Sequence, residues 1–325
     1  MKEIKWAVLG CGVIANEMAV ALQKNGKNIY AVGNRTHEKA AAFAEKYGIG
    51  KVYDDFHEMF TDPEIDVIYI TTPHNTHLGF MKEAIANGKH ILVEKSITLN
   101  SDELDEAIAL AKEKDVIIGE AMTIYHMPIY KELKKLLDSG RLGRVNLITM
   151  NFGSFKEYNM KNRFFNRNLA GGAMLDIGVY ALSFIRWFFD SKPDQLLSQV
   201  KPAPTGVDEQ AGLLLTNPEG QMASVMLSLH SKQPKRGMVS CENGFIEIME
   251  YPRAWEAKIT DASTGESEII KAGDNADALA YELVDMERAI NGDASAMHLD
   301  YTKDVMDLMT SFRRTWGYTY PEEEK

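Results

Sequence analysis

Four segments of this 325-residue chain carry side chains whose type and spacing can do chemistry. Gly10-Cys11-Gly12-Val13-Ile14-Ala15 is a glycine loop of the G-x-G-x-x-A type. Gly10 permits a tight turn, Gly12 lets the backbone approach a phosphate, and Ala15 is small enough for close helix–strand packing. A helix opening at such a loop offers unpaired N–H groups and a partial positive charge to an anion. The other three are Thr71-Thr72-Pro73-His74-Asn75-Thr76-His77, Glu94-Lys95-Ser96 and Gly171-Gly172-Ala173-Met174-Leu175-Asp176-Ile177-Gly178-Val179-Tyr180. They bring an ammonium, a carboxylate and a phenol, groups that move protons and hold developing charge. Asp176 and Tyr180 are four residues apart, so on a helix they share one face. Leu175, Ile177, Val179, Leu182 and Ile185 surround them, which makes polar groups there costly unless partnered.

The elements that position these segments follow from the hydrophobic pattern. Up to about residue 120, short apolar runs alternate with helical patterns. Strands are predicted at Ile4 to Leu9, Asn28 to Asn34, Lys51 to Tyr53, Val67 to Thr71, Ile91 to Glu94 and Val116 to Gly119. Helices are predicted over 13–24, 37–47, 76–87 and 101–114, the last capped by Asn100 with Glu103 three residues on. Strands that are apolar throughout, separated by helices, predict a doubly wound parallel sheet covered on both faces. The chemical segments fall at the carboxyl ends of its strands, where such sheets bind ligands.

Beyond residue 120 the rhythm changes. A helix over 129–137, a strand over 145–151, a basic loop with Lys156, Lys161, Arg163 and Arg167, and an apolar helix over 175–189 come first. From Gln195 to Lys271 successive strands are punctuated by turns at Asn217-Pro218-Glu219-Gly220, Glu242-Asn243-Gly244 and Ser263-Thr264-Gly265. Strands in series predict a large, open, mainly antiparallel sheet in an α+β domain. Two helices, 277–291 and 302–316, close the chain. The predicted domains are 1–120, a dinucleotide-binding domain, and 121–325, an α+β domain to which the resemblance described below assigns substrate binding and oligomerisation.

Hydrophobic residues make up 45% of the chain and charged residues 26%, an ordinary globular balance. A net charge of −11 argues against a nucleic-acid partner, which needs concentrated positive charge. No run is read as apolar for the ~20 residues a bilayer span needs, and no signal peptide is read at the start. Two cysteines, Cys11 and Cys241, provide no disulfide scaffold and no structural zinc site, and a reducing cytoplasm is the expected compartment.

The nucleotide's adenosine end should meet the end of the second strand. An NAD enzyme places Asp or Glu there for the ribose 2′-hydroxyl. This chain has Gly33-Asn34-Arg35-Thr36, with no carboxylate to repel a 2′-phosphate. Arg35 can stack on adenine and bind that phosphate, with Asn34, Thr36 and Lys39 adding to the pocket, so NADP is favoured and NAD remains possible. Thr72, Pro73, His74, His77 and Glu94 complete the expected cofactor contacts, His74 lining the nicotinamide pocket and His77 orienting its loop. The two histidines lack a third ligand, and no metal site is expected.

Taken together, the phosphate loop, Thr-Pro-His-Asn-Thr-His, Glu-Lys and Gly-Gly-Ala-x-x-Asp-x-Gly-x-Tyr resemble the glucose–fructose oxidoreductase, inositol dehydrogenase and rhizopine-catabolism protein family, in order and spacing, over nearly the whole chain. The last segment looks most like the branch of dimeric dihydrodiol dehydrogenase and NADP-dependent sugar dehydrogenases, where tyrosine replaces a histidine. The resemblance implies that Lys95 contacts substrate and the nicotinamide ribose, that Tyr180 is the general acid/base and that Asp176 is a substrate-site carboxylate. A positive Lys95 beside Tyr180 would lower the phenol's pKa toward working pH. The family pattern reads Glu-Lys-Pro; here Ser96 follows, without proline's fixed φ, and is expected to loosen the lysine. Tyr125 and Arg163 are further substrate-binding candidates. The expected activity is hydride transfer between nicotinamide and a sugar, anhydrosugar or cyclic diol, in a homodimer or tetramer formed through the antiparallel sheet. The alternatives are a non-catalytic dinucleotide-sensing regulator and a cofactor-assisted glycoside hydrolase.

Overall fold

The computed structural model describes residues 3–324. It divides into two compact units, one running to Ala121 and including Leu279–Leu299, the other comprising Met122–Ala278 with the chain from Asp300 on.

Unit 1 is built on β1 (Trp6–Leu9), β2 (Ile29–Gly33), β3 (Lys51–Tyr53), β4 (Val67–Ile70), β5 (His90–Glu94) and β6 (Ile118–Ala121). They form one sheet in the order β3-β2-β1-β4-β5-β6, every pairing parallel. This is the doubly wound order, with its switch point between β1 and β4. All four residues of β1 and of β4 are buried, as strands covered on both faces must be. The helices are α1 (Val13–Lys24), α2 (His37–Tyr47), α3 (Phe56–Thr61), α4 (His77–Ala86) and α5 (Ser101–Lys114). The Asn100 side chain accepts the Glu103 N–H at 2.9 Å, the predicted cap. The pattern had not shown α3, a short helix capped by Asp55.

The sequence reading assigned everything after residue 120 to the second domain; the structure places 279–299 in unit 1. The cause is packing onto the first sheet. The indole N–H of buried Trp6 donates to Glu287 at 3.1 Å, and Lys27 pairs with the same carboxylate. On the edge strand β6, Gly119 lets Met297 approach so closely that a Cβ would lie 2.5 Å from its Cε.

Unit 2 begins with α6 (Thr123–His126) and α7 (Pro128–Asp138), then β7 (Val145–Gly153), a helical turn at Met174–Gly178 and α8 (Val179–Phe188). Strands β8 (Gln195–Pro202), β9 (Asp208–Thr216), β10 (Met222–Ser228), β11 (Gln233–Cys241), β12 (Gly244–Met249), β13 (Glu256–Asp261) and β14 (Ser267–Lys271) follow. The eight strands are ordered β14-β13-β12-β11-β7-β10-β9-β8. The three predicted turns join β9 to β10, β11 to β12 and β13 to β14, all antiparallel pairs. One pair, β7 with β10, is parallel, because β7 enters the centre of the sheet from an earlier part of the chain. The other helices are α9 (Ala278–Ile290), mostly in unit 1, and α10 (Leu299–Trp316), mostly in unit 2.

Two expectations are corrected in unit 2. The run Arg167–Phe188 is long and apolar enough to cross a membrane, but 78% of its apolar window is buried inside the protein, which makes it a core helix. The predicted single helix from Leu175 is also interrupted. Residues Met174–Gly178 wind as a π-turn before α8 starts. Gly178 packs so tightly that a Cβ would meet Met174 Sδ at 2.9 Å and Leu227 Cδ1 at 3.0 Å. A spacing of four residues is therefore not one α-turn from Asp176 to Tyr180.

Candidate active site

In unit 1 the chain leaves β1 at Gly10 with φ 106, a left-handed conformation open to glycine. A Cβ there would sit 2.5 Å from Thr71 Oγ1. The Gly10 N–H donates to Gly33 at 2.8 Å, and the Thr71 N–H donates to Leu9 at 2.9 Å, so the loop is pinched between the ends of β2 and β4. Gly12 is extended and heads α1 with no side-chain cap and no acidic residue in the first turn. Nothing lies within 4 Å of where its Cβ would be. The first N–H groups of α1 thus face an open cradle that suits a pyrophosphate. Cys11, Val13 and Ile14 line the same turn. Burial pushes the Cys11 thiol up to about 11, so it stays neutral, and the Lys39 charge is near enough to oppose that shift.

At the end of β2, Asn34 donates to the Thr36 carbonyl at 3.0 Å and closes the turn into α2. Arg35 is exposed beside it. With no carboxylate on 33–36, the arrangement fits an anionic 2′-phosphate.

The loop after β4 is tied to the loop after β5. The His74 ring donates through Nε2 to the Lys95 carbonyl at 3.0 Å. His77 is fully buried, its Nε2 lying 2.8 Å from the Thr72 carbonyl and its Nδ1 3.1 and 3.2 Å from the Ser96 and Ile97 carbonyls. Burial holds its pKa below the ordinary histidine value. The Ile97 N–H donates to buried Glu120 at 3.1 Å. Glu94 accepts from the Tyr69 hydroxyl. Ser96 was expected to loosen Lys95. In the structure Ser96 is fully buried, and backbone atoms of Lys95, Ser96 and Ile97 all have side-chain partners. Pro73 starts the short turn that presents His74.

In unit 2, Asp176 is 8% exposed and pairs with Arg163 at 3.5 Å, bringing two predicted residues together. The Arg163 guanidinium also lies 4.3 Å over the Phe164 ring. Tyr180 is half-buried and faces a cavity of about 260 Å³, whose other walls are Phe152, Lys235, Glu250, Pro252, Arg253 and Asn275. Lys235 bonds Glu250 at 2.9 Å and lies 5.4 Å over the Phe152 ring. Glu250 adopts φ 48, a left-handed conformation rare for a residue with a side chain. Sequence reasoning missed these wall residues. They come from four separate elements, and the only local signal, a positive φ at Glu250, is not written in residue type.

Tyr125 lies apart from this cavity. It is fully buried, stacked on Trp187 at 6.1 Å and edge-on to Tyr301 at 5.9 Å, in an aromatic cluster that does not line this cavity. Residues Met122 to Met127 are all buried, so the segment packs as core.

The chain matches the oxidoreductase family with an NAD-binding Rossmann fold over residues 4–122, and the GFO/IDH/MocA C-terminal domain over 130–247. It is 32% identical to trans-1,2-dihydrobenzene-1,2-diol dehydrogenase of Xenopus tropicalis over 248 residues, 75% of this chain and 74% of that one. The mouse (Mus musculus) protein of the same name is 26% identical over 333 residues, 99% of both chains. Among solved structures, aldose-aldose oxidoreductase from Caulobacter crescentus superposes with a TM-score of 0.86 at 22% identity, over 96% of this chain and 97% of that one. A 3-ketoreductase from Actinomadura kijaniata, solved with NADP and TDP-benzene, gives 0.85 at 19% identity, over 96% and 98%. At these identities the structures establish the fold. The glycine cradle, the clamped lysine and the two matched domains together make this chain a member of the Gfo/Idh/MocA family of NAD(P)-binding oxidoreductases.

Proposed function

We propose that this protein is an NADP-preferring dehydrogenase or reductase acting on a CH–OH group of a sugar, an anhydrosugar or a cyclic diol. The observation that carries the reading lies in unit 1. One parallel sheet ends β1 in an open anion cradle and β5 in a lysine whose backbone is clamped by His74 and His77.

The N–H groups of Gly12 to Ile14 hold the pyrophosphate, and Arg35, with Asn34, Thr36 and Lys39, holds the 2′-phosphate. A bound nicotinamide supplies the hydride acceptor for oxidation or the donor for reduction. Tyr180 takes the substrate hydroxyl proton in one direction and returns it in the other. Lys95 supplies the positive charge that stabilises negative charge developing on a substrate oxygen. Asp176 and Arg163 orient the polar substrate as a pair. The relatives named as dihydrodiol dehydrogenases and the sugar-acting structural neighbours support this substrate range.

The sheet of unit 2 supports self-association. Leu147, Leu197, Leu214, Met222 and Met226 on β7 to β10 are exposed, and a shallow groove runs across β8, β9 and β10 between them. Covering this apolar face with a second copy is the reading that the composition favours. Two half-buried thiols, Cys11 and Cys241, without a disulfide fit a reducing cytoplasm.

The test is a panel of aldoses, ketoses and cyclic diols with NADP and NAD, followed at the reduced-nicotinamide absorbance. Net redox turnover with at least one polyol, faster with NADP, is expected. Glycoside hydrolysis without net absorbance change would make the protein a cofactor-assisted hydrolase. Nucleotide binding without any turnover would make it a sensing regulator. In the same assay Arg35→Ala weakens NADP more than NAD, the difference being about tenfold, the size of one charge-assisted contact; equal losses remove the 2′-phosphate assignment.

A further inference from the structure

The turn that carries Asp176 and leads into α8 with Tyr180 begins in a segment with no capping side chain of its own, Ala170-Gly171-Gly172-Ala173. Ala170 has φ 53 and Gly172 φ 128, so the chain enters the helix through two left-handed residues. Such an entry leaves the first N–H groups without intrahelical acceptors. The acceptor comes from 34 residues further on. Asp208, the first residue of β9, accepts the Met174 N–H through Oδ2 at 2.5 Å, and the Ala173 N–H bonds the same carboxylate. Its other oxygen lies where a side chain at residue 172 would be: a Cβ on Gly172 would sit 2.2 Å from Asp208 Oδ1. Gly172 is therefore the space that admits the cap.

The back of this carboxylate is built as well. The Tyr320 hydroxyl donates to the Gly171 carbonyl at 2.7 Å. Buried Arg313 forms a two-pronged pair with Glu323 at 2.8 and 2.9 Å and lies 4.6 Å over the Tyr320 ring. Glu323 in turn accepts the Tyr320 N–H at 2.7 Å. Asp208, at 1% exposure, thus receives N–H groups in front and feels the Arg313 cation behind it, with the Tyr318 and Tyr320 phenols nearby.

We propose that Asp208 is a positioning residue: by capping the 173–178 turn from β9 it sets the direction in which Asp176 and the Tyr180 phenol project. A helix anchored only by Ala and Gly has no side chain to fix its rotation, whereas a carboxylate gripping two consecutive N–H groups does. Burial pushes the Asp208 carboxyl up to about 7, so the grip weakens by protonation just below neutral pH. The inference rests on the reading of Tyr180 as the proton-exchanging group, and its test is chosen to separate the two.

The experiment is fluorine NMR of the full chain labelled with fluorotyrosine, the Tyr180 line being assigned by its loss in Tyr180→Phe, together with turnover per folded molecule. In Asp208→Ala the Tyr180 line is expected to shift or broaden and kcat to fall on the order of 10²-fold, as for a misplaced proton-transfer group, at unchanged nucleotide affinity. Asp208→Asn, whose amide oxygen still accepts an N–H, should keep the line and most of the turnover and lose the pH dependence near neutrality. An unmoved Tyr180 line in Asp208→Ala, or an Asn variant as impaired as the Ala variant, overturns the proposal. Should Asp208→Ala not fold, Gly172→Ala displaces the carboxylate with Asp208 retained, and an unmoved line there overturns it equally. If the wild type turns over no polyol, the assigned function fails while the fluorine line still decides where Asp208 acts.

Discussion

Lys95 and the turn that carries Tyr180 are held in opposite ways. Around Lys95 the ties are short links between adjacent strand ends, made by His74, His77 and Glu120 to backbone atoms of residues 95 to 97. The Tyr180 turn depends on one buried carboxylate brought from β9, backed by an arginine from α10. The first arrangement spreads the work over several groups, and burial holds the pKa of its central imidazole below the ordinary histidine value. The second concentrates it in one titratable side chain. The lesson is that two groups proposed to serve one reaction can have different tolerances to mutation and to pH, set by how their backbones are anchored and not by their own chemistry.

The comparison is broken most directly at the groups themselves. Tyr180→Phe removes the exchangeable proton and Lys95→Ala the cation; each should lower kcat on the order of 10²–10⁴-fold with nucleotide affinity intact, measured by steady-state kinetics and nucleotide titration. Next comes the clamp. His77→Ala opens a buried space and strips carbonyl partners on both loops, so it should cost about 2–4 kcal/mol in the urea midpoint as well as lowering kcat. A variant with wild-type stability would show that the clamp is redundant.

The pH contrast can be sharpened through stability. The folded Asp208 carboxyl titrates near 7, above its unfolded value of 3.8. The folded state therefore binds the extra proton, and stability contributed by this group is lost as pH rises through that window. Asp208→Asn has no such loss, so its melting temperature relative to wild type should rise between pH 5 and pH 8; a constant difference would contradict the burial argument. The smallest effect is expected from Asn100→Ala, which removes one ordinary cap on α5, costs about 1 kcal/mol by denaturant unfolding and leaves kcat unchanged.

Much of unit 1 was legible because its signals are local. The phosphate loop, the bounds of α1, α2, β3 and α5, and the Asn100 cap depend on residues within a few positions of one another. The same holds for the three hairpin turns of unit 2. What escaped was set by distant packing. The π-turn at 174–178 ends at Gly178, which lies against Leu227, a contact that no helical period encodes. Tyr125 reads as a substrate-binding candidate, and Trp187 and Tyr301 pack against it. Lys235 and Glu250 look like an ordinary surface pair until β11 and the turn after β12 bring them to the Tyr180 cavity. Asp208 carries no motif, because its meaning lies in a glycine 36 positions earlier.

The docking of residues 279–299 onto the nucleotide-binding sheet also has a practical meaning for anyone dissecting this protein. A fragment truncated after Ala121 would keep every strand of that sheet but expose the Trp6 indole to water and leave Lys27 without its Glu287 carboxylate. A stable excised version would need the late helix grafted back by a linker, or a circularly permuted chain in which that helix is synthesised next to β1.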